Sequence, residues 1–188
     1  MKYKIVFNSF LLIASSCVLF SCKSANSDVI YKRCVVEKTQ KTLVEGYGVK
    51  KDIFKLLEEA EILLIENELI QNRSKESFLK LTEIVFNDKE ISKQIARKIR
   101  TNVNENFFDF LFLTSLHFYS TCPDEVYKNE IDDVKRNILI KRFKLYSSLM
   151  TDGFKSQQSI TSLINEFETF SKTERLVILH LILMNVFS

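Results

Sequence analysis

The chain has 188 residues, of which 46% are hydrophobic and 27% are charged, and this composition excludes an intrinsically disordered protein. Its 27 basic and 24 acidic residues give a net charge of +3, which provides no electrostatic basis for binding nucleic acid. Three glycines and one proline leave almost none of the turn residues that β-hairpins need. We therefore expect an all-helical globular protein with no nucleic-acid partner.

The first 28 residues have the layout of an export signal followed by a tether. Lys2 and Lys4 precede an uncharged, mainly apolar segment over residues 5–20, and small polar residues follow it; this order is typical of a secretory signal. A helix that crosses a membrane needs about 20 apolar residues, so the segment is marginal as a permanent anchor. We expect it to be removed.

The end of this segment, Leu19-Phe20-Ser21-Cys22, resembles the lipobox of bacterial lipoproteins, in the looser form found in Bacteroidetes-like bacteria. The resemblance implies that residues 1–21 are a cleaved signal peptide, that the Cys22 thiol is acylated, and that residues 22–28 are a lipid-anchored tether. Lys23 stands where an Asp would resemble an inner-membrane retention signal. The resemblance therefore favours the outer membrane, with the periplasmic face as the expected location.

Two alternatives to lipid anchoring are an ordinary signal peptide that is cut near Ala25 and an anchor that is never removed. Removal of residues 1–21 from the 188-residue chain would leave 167 residues, which is the size of one domain. We expect residues 29–188 to form that single helical domain. The net charge of the mature side chains falls to about +1, because Lys2 and Lys4 leave with the leader.

Two cysteines remain for the domain, because Cys17 leaves with the leader and Cys22 carries the lipid. Cys34 and Cys122 could form a disulfide, which the cell envelope permits, or they could be two buried free thiols. The sequence leaves both alternatives open. A disulfide that closes a loop of this length would stabilise the fold by about 4 to 5 kcal/mol in the chain-entropy model.

Apolar residues recur at steps of three and four along the domain and predict an all-α bundle of six or seven helices. Ser74, Ser156 and Ser171 are predicted to start helices, and two pairs, Asn87 with Glu90 and Ser171 with Glu174, match the capping-box pattern. The other predicted helical segments cover residues 28–45, 51–71, 88–101, 104–121 and 124–150.

Two segments are too apolar to lie on the surface of the bundle. The Phe-rich segment over residues 104–121 is apolar around its whole circumference, which predicts a buried helix at the centre of the bundle. The run from Leu176 to Met184 is also nearly all apolar. We expect this C-terminal helix to be buried or to bind something.

The two histidines, His117 and His180, are the first candidates for acid-base or metal chemistry. Each lies in an apolar segment without a carboxylate or a second histidine three or four residues on. A zinc site of His117, Cys122 and Asp124 would match no recognised ligand spacing. We therefore expect core histidines bonded to backbone or solvent, and no metal site.

Clusters of charged residues are the remaining candidates. Adjacent helical residues point about 100° apart, so neighbouring carboxylates do not converge on one substrate atom, and solvated faces are expected. The acidic clusters are Glu58, Glu59 and Glu61, and Glu130, Asp132 and Asp133.

Two basic faces could meet acidic lipid headgroups or an acidic partner, although a solvated face is again the first expectation. These faces are Lys89, Lys93, Arg97 and Arg100, and Lys135, Arg136, Lys141, Arg142 and Lys144.

No constellation of residues indicates a catalytic site or a cofactor. The sequence therefore predicts a non-enzymatic, lipid-anchored helical protein of the cell envelope that binds an unidentified protein partner; an immunity protein that neutralises a toxin at the membrane is one version. The alternative is a carrier of an apolar ligand, with a pocket between residues 107–119 and residues 176–187. In either case the protein would contact the membrane through the lipid on Cys22.

Overall fold

A computed structural model describes residues 27–109, 119, 121–123, 126, 140–141, 144 and 156–186. These residues contain helices and no strand, which confirms the all-α prediction. The helix over residues 27–47 is α1, and the helices α2 to α6 follow it in chain order. They are α2 (Ile53–Glu66), α3 (Lys75–Asn87), α4 (Lys89–Asn102), α5 (Gln157–Ile164) and α6 (Lys172–Leu183), with a 3₁₀ turn over Phe167–Thr169 between the last two.

Each of the first two helices is followed within two residues by a residue with a left-handed backbone. Helix α1 runs two residues beyond the predicted end at residue 45 and stops before Gly48, whose φ is +65°; glycine adopts this conformation without steric cost. Helix α2 ends at Glu66 instead of continuing to residue 71, because the chain turns at Glu68 with φ +58°. Ile70 is still buried, but it reaches the core from the turn.

Short polar side chains start the helices, as expected from N-cap chemistry. Ser74 accepts a hydrogen bond from the backbone of Ser77, and Ser156 accepts one from Ser159. Ser171 forms the complete capping box with Glu174, in which each side chain bonds the backbone of the other residue. Three of the predicted helix starts are therefore confirmed.

The predicted capping box of Asn87 with Glu90 is wrong. Asn87 is the last residue of α3, and the cap of α4 is Asp88, whose carboxylate accepts hydrogen bonds from the backbone of Glu90 and Ile91 at 3.1 and 3.0 Å. The Ser92 hydroxyl donates to the Val85 carbonyl at 3.1 Å and joins the two helices across this tight connection. A carboxylate at the cap also complements the positive end of the α4 dipole.

The core lies where α2 and α3 meet α6. Helix α2 packs on α4 and α6, and α3 packs on α4, α5 and α6. The rings of Phe78 in α3 and Phe167 in the 3₁₀ turn lie 4.9 Å apart between centroids. Every residue from Leu176 to Val186 is buried, which confirms that the C-terminal helix belongs to the core.

Most of the predicted Phe-rich central helix, and the segment over residues 124–150 except for single positions, lie outside the described residues. At the edges of the Phe-rich segment, Phe107, Phe108 and Tyr119 are buried. Helical conformation is described at residues 107–109, 119, 121–123, 126, 140–141 and 144.

Candidate functional site

The predicted lipid attachment residue, Cys22, lies outside the described residues, but the junction between the predicted tether and the domain is described. Ser27 and Asp28 are already helical, so the predicted tether over residues 22–28 overlaps the start of α1. The Asp28 carboxylate accepts hydrogen bonds from the hydroxyls of Ser171, at 2.6 Å, and Thr173, at 2.9 Å. The first turn of α1 is therefore fastened to the first turn of α6.

Cys34 and Cys122 form a disulfide with a Cα–Cα distance of 5.8 Å. Of the two alternatives that the sequence left open, the structure contains the bonded pair. Both residues are buried, and the bond joins α1 to the segment that precedes Pro123. The sulfur of Cys122 is therefore not available as a zinc ligand, and the other two residues of that hypothetical set, His117 and Asp124, lie outside the described residues.

His180 is a core histidine, as expected, but its partner was not predicted. Its Nδ1 atom lies 2.6 Å from the hydroxyl oxygen of Tyr119, and both side chains are essentially inaccessible to solvent. The rings are perpendicular, with centroids 5.3 Å apart. Tyr119 lies three residues before Cys122, so this polar contact and the disulfide fasten the same segment to different helices.

The acidic cluster of α2 does not converge on a common point. Each of its three carboxylates pairs with a different cation: Glu58 with Lys172 at 2.8 Å, Glu59 with Lys51 at 2.6 Å, and Glu61 with Arg73 at 2.6 Å. This arrangement confirms that neighbouring glutamates point apart, and it leaves no pair of carboxylates placed for acid-base work among them.

Glu61 corrects the prediction of a solvated acidic face. Its side chain is only 4% exposed, whereas the Arg73 side chain is 52% exposed. The carboxylate is therefore buried beneath a guanidinium that reaches it from the turn before α3. Of the other acidic cluster, Glu130, Asp132 and Asp133 lie outside the described residues.

The Lys172 ammonium lowers the pKa of Glu58, first through the hydrogen bond it donates and then through its charge, with partial burial opposing the shift. The ion pair also joins α2 to the start of α6. The end of the domain at which α1 begins is thus held together by contacts of α1 and α2 with α6.

The basic face of α4 is exposed. Lys89, Lys93, Arg97 and Arg100 are all at exposed positions, and their spacing of four, four and three residues places them on one side of the helix. Lys93 pairs with Glu90 at 2.8 Å, and Arg100 lies 3.9 Å from Asp109. We call these four residues the basic stripe.

The second predicted basic face is described at two positions only. Lys141 pairs with Glu166 at 2.8 Å, and Lys144 is exposed. Lys135, Arg136 and Arg142 lie outside the described residues. The described part of this face is therefore an ion pair at the surface and one exposed lysine.

Comparisons of the chain with protein-family models, with curated proteins and with solved structures give no match. Across residues 27–109 and 156–186 and the single positions described between them, no helix has the length and apolar character that crossing a membrane requires. The same residues contain no cluster of three or more histidine, cysteine or carboxylate side chains placed to hold a metal ion.

Proposed function

We propose that this chain is a lipid-anchored helical protein of the bacterial cell envelope that works by binding another protein and not by catalysis. The observation that carries the proposal is the run Leu19-Phe20-Ser21-Cys22 at the end of an apolar leader, followed at once by small polar residues. Acylation of Cys22 would hold the mature protein at the periplasmic face of the outer membrane. Two or three acyl chains are needed for firm attachment, because one chain gives only marginal affinity.

The disulfide supports the envelope location. Disulfides form and persist in oxidising compartments such as the periplasm and are rare in the cytosol. The bond between Cys34 and Cys122 fits a chain that crosses the inner membrane before it folds. It also accounts for both cysteines that remain when Cys17 and Cys22 are assigned to the leader and the lipid.

The contacts that the charged and polar side chains make favour binding over catalysis. The glutamates of α2 each neutralise a separate cation, and the buried His180 meets a tyrosine hydroxyl in the core. The basic stripe of α4, by contrast, presents charge to solvent. A protein that neutralises a toxin at the membrane would use such a surface, and an immunity protein is the specific version of the proposal.

The alternative, a carrier of an apolar ligand, depends on a pocket between residues 107–119 and residues 176–187. The side chains of the second wall are buried from Leu176 to Val186, and the first wall lies mainly outside the described residues. The test of the carrier is organic extraction of the purified full-length protein followed by mass spectrometry. A stoichiometric apolar compound would favour the carrier over the binding module.

The anchor is tested by replacing Cys22→Ala in the full-length chain and comparing it with Cys17→Ala, which removes a cysteine from the leader only. We expect Cys22→Ala to accumulate as an uncut precursor that takes up no labelled fatty acid. Cys17→Ala should be processed, labelled and recovered with the outer membrane like the unaltered chain. Normal processing and membrane recovery of Cys22→Ala would contradict the anchor, and a wild-type protein of full precursor mass would indicate an uncleaved segment.

A further inference from the structure

We propose that the basic stripe of α4 is the surface on which this protein docks an acidic protein partner. The inference rests on the proposed function, because it names the surface and the chemistry of the partner for the same binding role. Helix α4 carries five basic residues and one acidic residue within 14 positions. Since the mature side chains sum to about +1, the positive charge of α4 is offset by acidic residues elsewhere.

The four cations lie in a row along one side of α4, an arrangement that suits a linear docking site. Lys89 and Arg100 are eleven residues apart, which corresponds to about 16 Å along a helix. Lys93 and Arg97 lie between them on the same side. A partner with carboxylates at the same steps, such as the acidic face of a helix, would meet all four cations in one orientation.

Two of the four cations of the stripe are not neutralised by an ion pair in the described part of the chain. Among the residues that the structure describes, the side chains of Lys89 and Arg97 make no hydrogen bond or ion pair. The Lys93 ammonium is shared with Glu90, whose pKa it lowers, and the more distant Arg97 charge acts in the same direction. Glu90 offsets one positive charge of the stripe and Asp109, beside Arg100, offsets a second, so two of the four positive charges remain in excess.

The position of the stripe favours a protein partner over the lipid surface. Asp28, where the tether enters, lies at one end of α1, and Tyr47 lies at the other, about 30 Å away for a helix of this length. The Tyr47 hydroxyl donates to the Asp109 carbonyl, and the Asp109 carboxylate lies near Arg100. The Arg100 end of the stripe is therefore remote from the point of membrane attachment.

The composition of α4 also disfavours membrane binding. A helix that lies on a bilayer buries an apolar face in the headgroup region. In α4 the apolar residues Ile95, Ala96 and Ile99 are buried in the domain, where they pack towards α2 and α3. The side chains left at exposed positions are polar or charged, so they suit an acidic protein surface.

The first test measures binding of a defined acidic peptide to the purified, full-length lipoprotein in zwitterionic detergent. The probe is a labelled helical peptide with Glu at steps of four, four and three residues, and its control has Gln at the same positions. The charge-reversal variant Lys93→Glu/Arg97→Glu is compared with Lys41→Glu/Lys80→Glu, which makes the same charge change at exposed positions of α1 and α3.

We expect the Glu peptide to bind, the Gln peptide not to bind, and the affinity for the Glu peptide to fall as salt is added. The stripe variant should lose at least about tenfold in affinity at low salt, and the control variant should stay within about twofold of the unaltered chain. Circular dichroism checks that both variants are folded. Absence of binding, or an equal loss in both variants, would overturn the docking site.

A second measurement in cells separates this inference from the proposed function. A photo-crosslinking residue is placed at position 97 in one strain and at position 80 in another. Crosslinks from position 97 to a carboxylate-rich segment of one protein, lost in high salt, support the stripe. Crosslinks from position 97 to phospholipid overturn it. If a protein is crosslinked only from position 80, or from neither position, the stripe is wrong; the proposed function is tested separately by the processing of Cys22→Ala.

Discussion

The carboxylate of Asp28 accepts hydrogen bonds from the hydroxyls of Ser171 and Thr173, residues that follow it by 143 and 145 positions. Ser171 is at the same time the N-cap of α6. One acidic side chain therefore satisfies two hydroxyl donors and places a negative charge at the positive end of the α6 dipole. The contact closes the domain at the place where the tether would enter.

We expect Asp28→Ala to lower the free energy of unfolding by about 1 to 2 kcal/mol, because the two hydroxyls and the helix end lose their acceptor. Asp28→Asn should cost less, since the amide oxygen still accepts a hydrogen bond. Urea unfolding measures both variants. The matched control is Glu37→Ala, which removes an exposed carboxylate from the same helix, and an equal effect of the two alanine variants would contradict the role of Asp28.

The disulfide closes a loop with a sequence separation of 88 residues. We expect Cys34→Ser/Cys122→Ser to lower the free energy of unfolding by about 2 to 5 kcal/mol, mainly because the unfolded chain regains the freedom that the crosslink removes. The double variant avoids a lone reactive thiol. Alkylation of the denatured protein, with and without prior reduction, tests the bond itself. Labelling of both cysteines without reductant would show that the bond is absent.

The ion pair between Glu61 and Arg73 joins a buried carboxylate to a half-exposed guanidinium. We expect Arg73→Ala to lower the free energy of unfolding by about 2 kcal/mol, because it leaves a carboxylate buried without its cation. Adding Glu61→Gln should recover part of this loss, since a neutral amide is less costly to bury. The exposed pair between Lys51 and Glu59 provides the control, and Lys51→Ala should change stability by less than about 1 kcal/mol.

The ion pair between Glu58 and Lys172 makes stability depend on pH. Because the folded pKa of Glu58 lies below its unfolded value, the contribution is present above the unfolded pKa and is lost as the pH falls through the folded pKa. Unfolding free energies measured from neutral pH to about pH 3 should therefore fall less steeply for Glu58→Gln than for the unaltered chain. A profile of unchanged slope would contradict the contribution of this pair.

Local chemistry made parts of the fold predictable. The caps at Ser74, Ser156 and Ser171 follow from hydrogen bonds that span three residues, and the burial of the C-terminal helix follows from its composition. The error at Asn87 has a local cause as well, because Asp88 competes for the same role and accepts two backbone hydrogen bonds there. The length of α2 was overestimated because Ile70 keeps the apolar spacing although the backbone has already turned.

The sequence by itself determined the all-helical class, and it is the basis of the predicted export signal and of the candidate lipid residue Cys22, because each depends on composition or on residues close together in the chain. Only the tertiary structure decided that Asp28 meets Ser171, that Glu61 is buried beneath Arg73, that His180 faces Tyr119 and that Cys34 is bonded to Cys122. These contacts depend on which helices pack together. The spacing of residues along the chain does not show which helices pack together, because that pairing depends on the burial of the whole core.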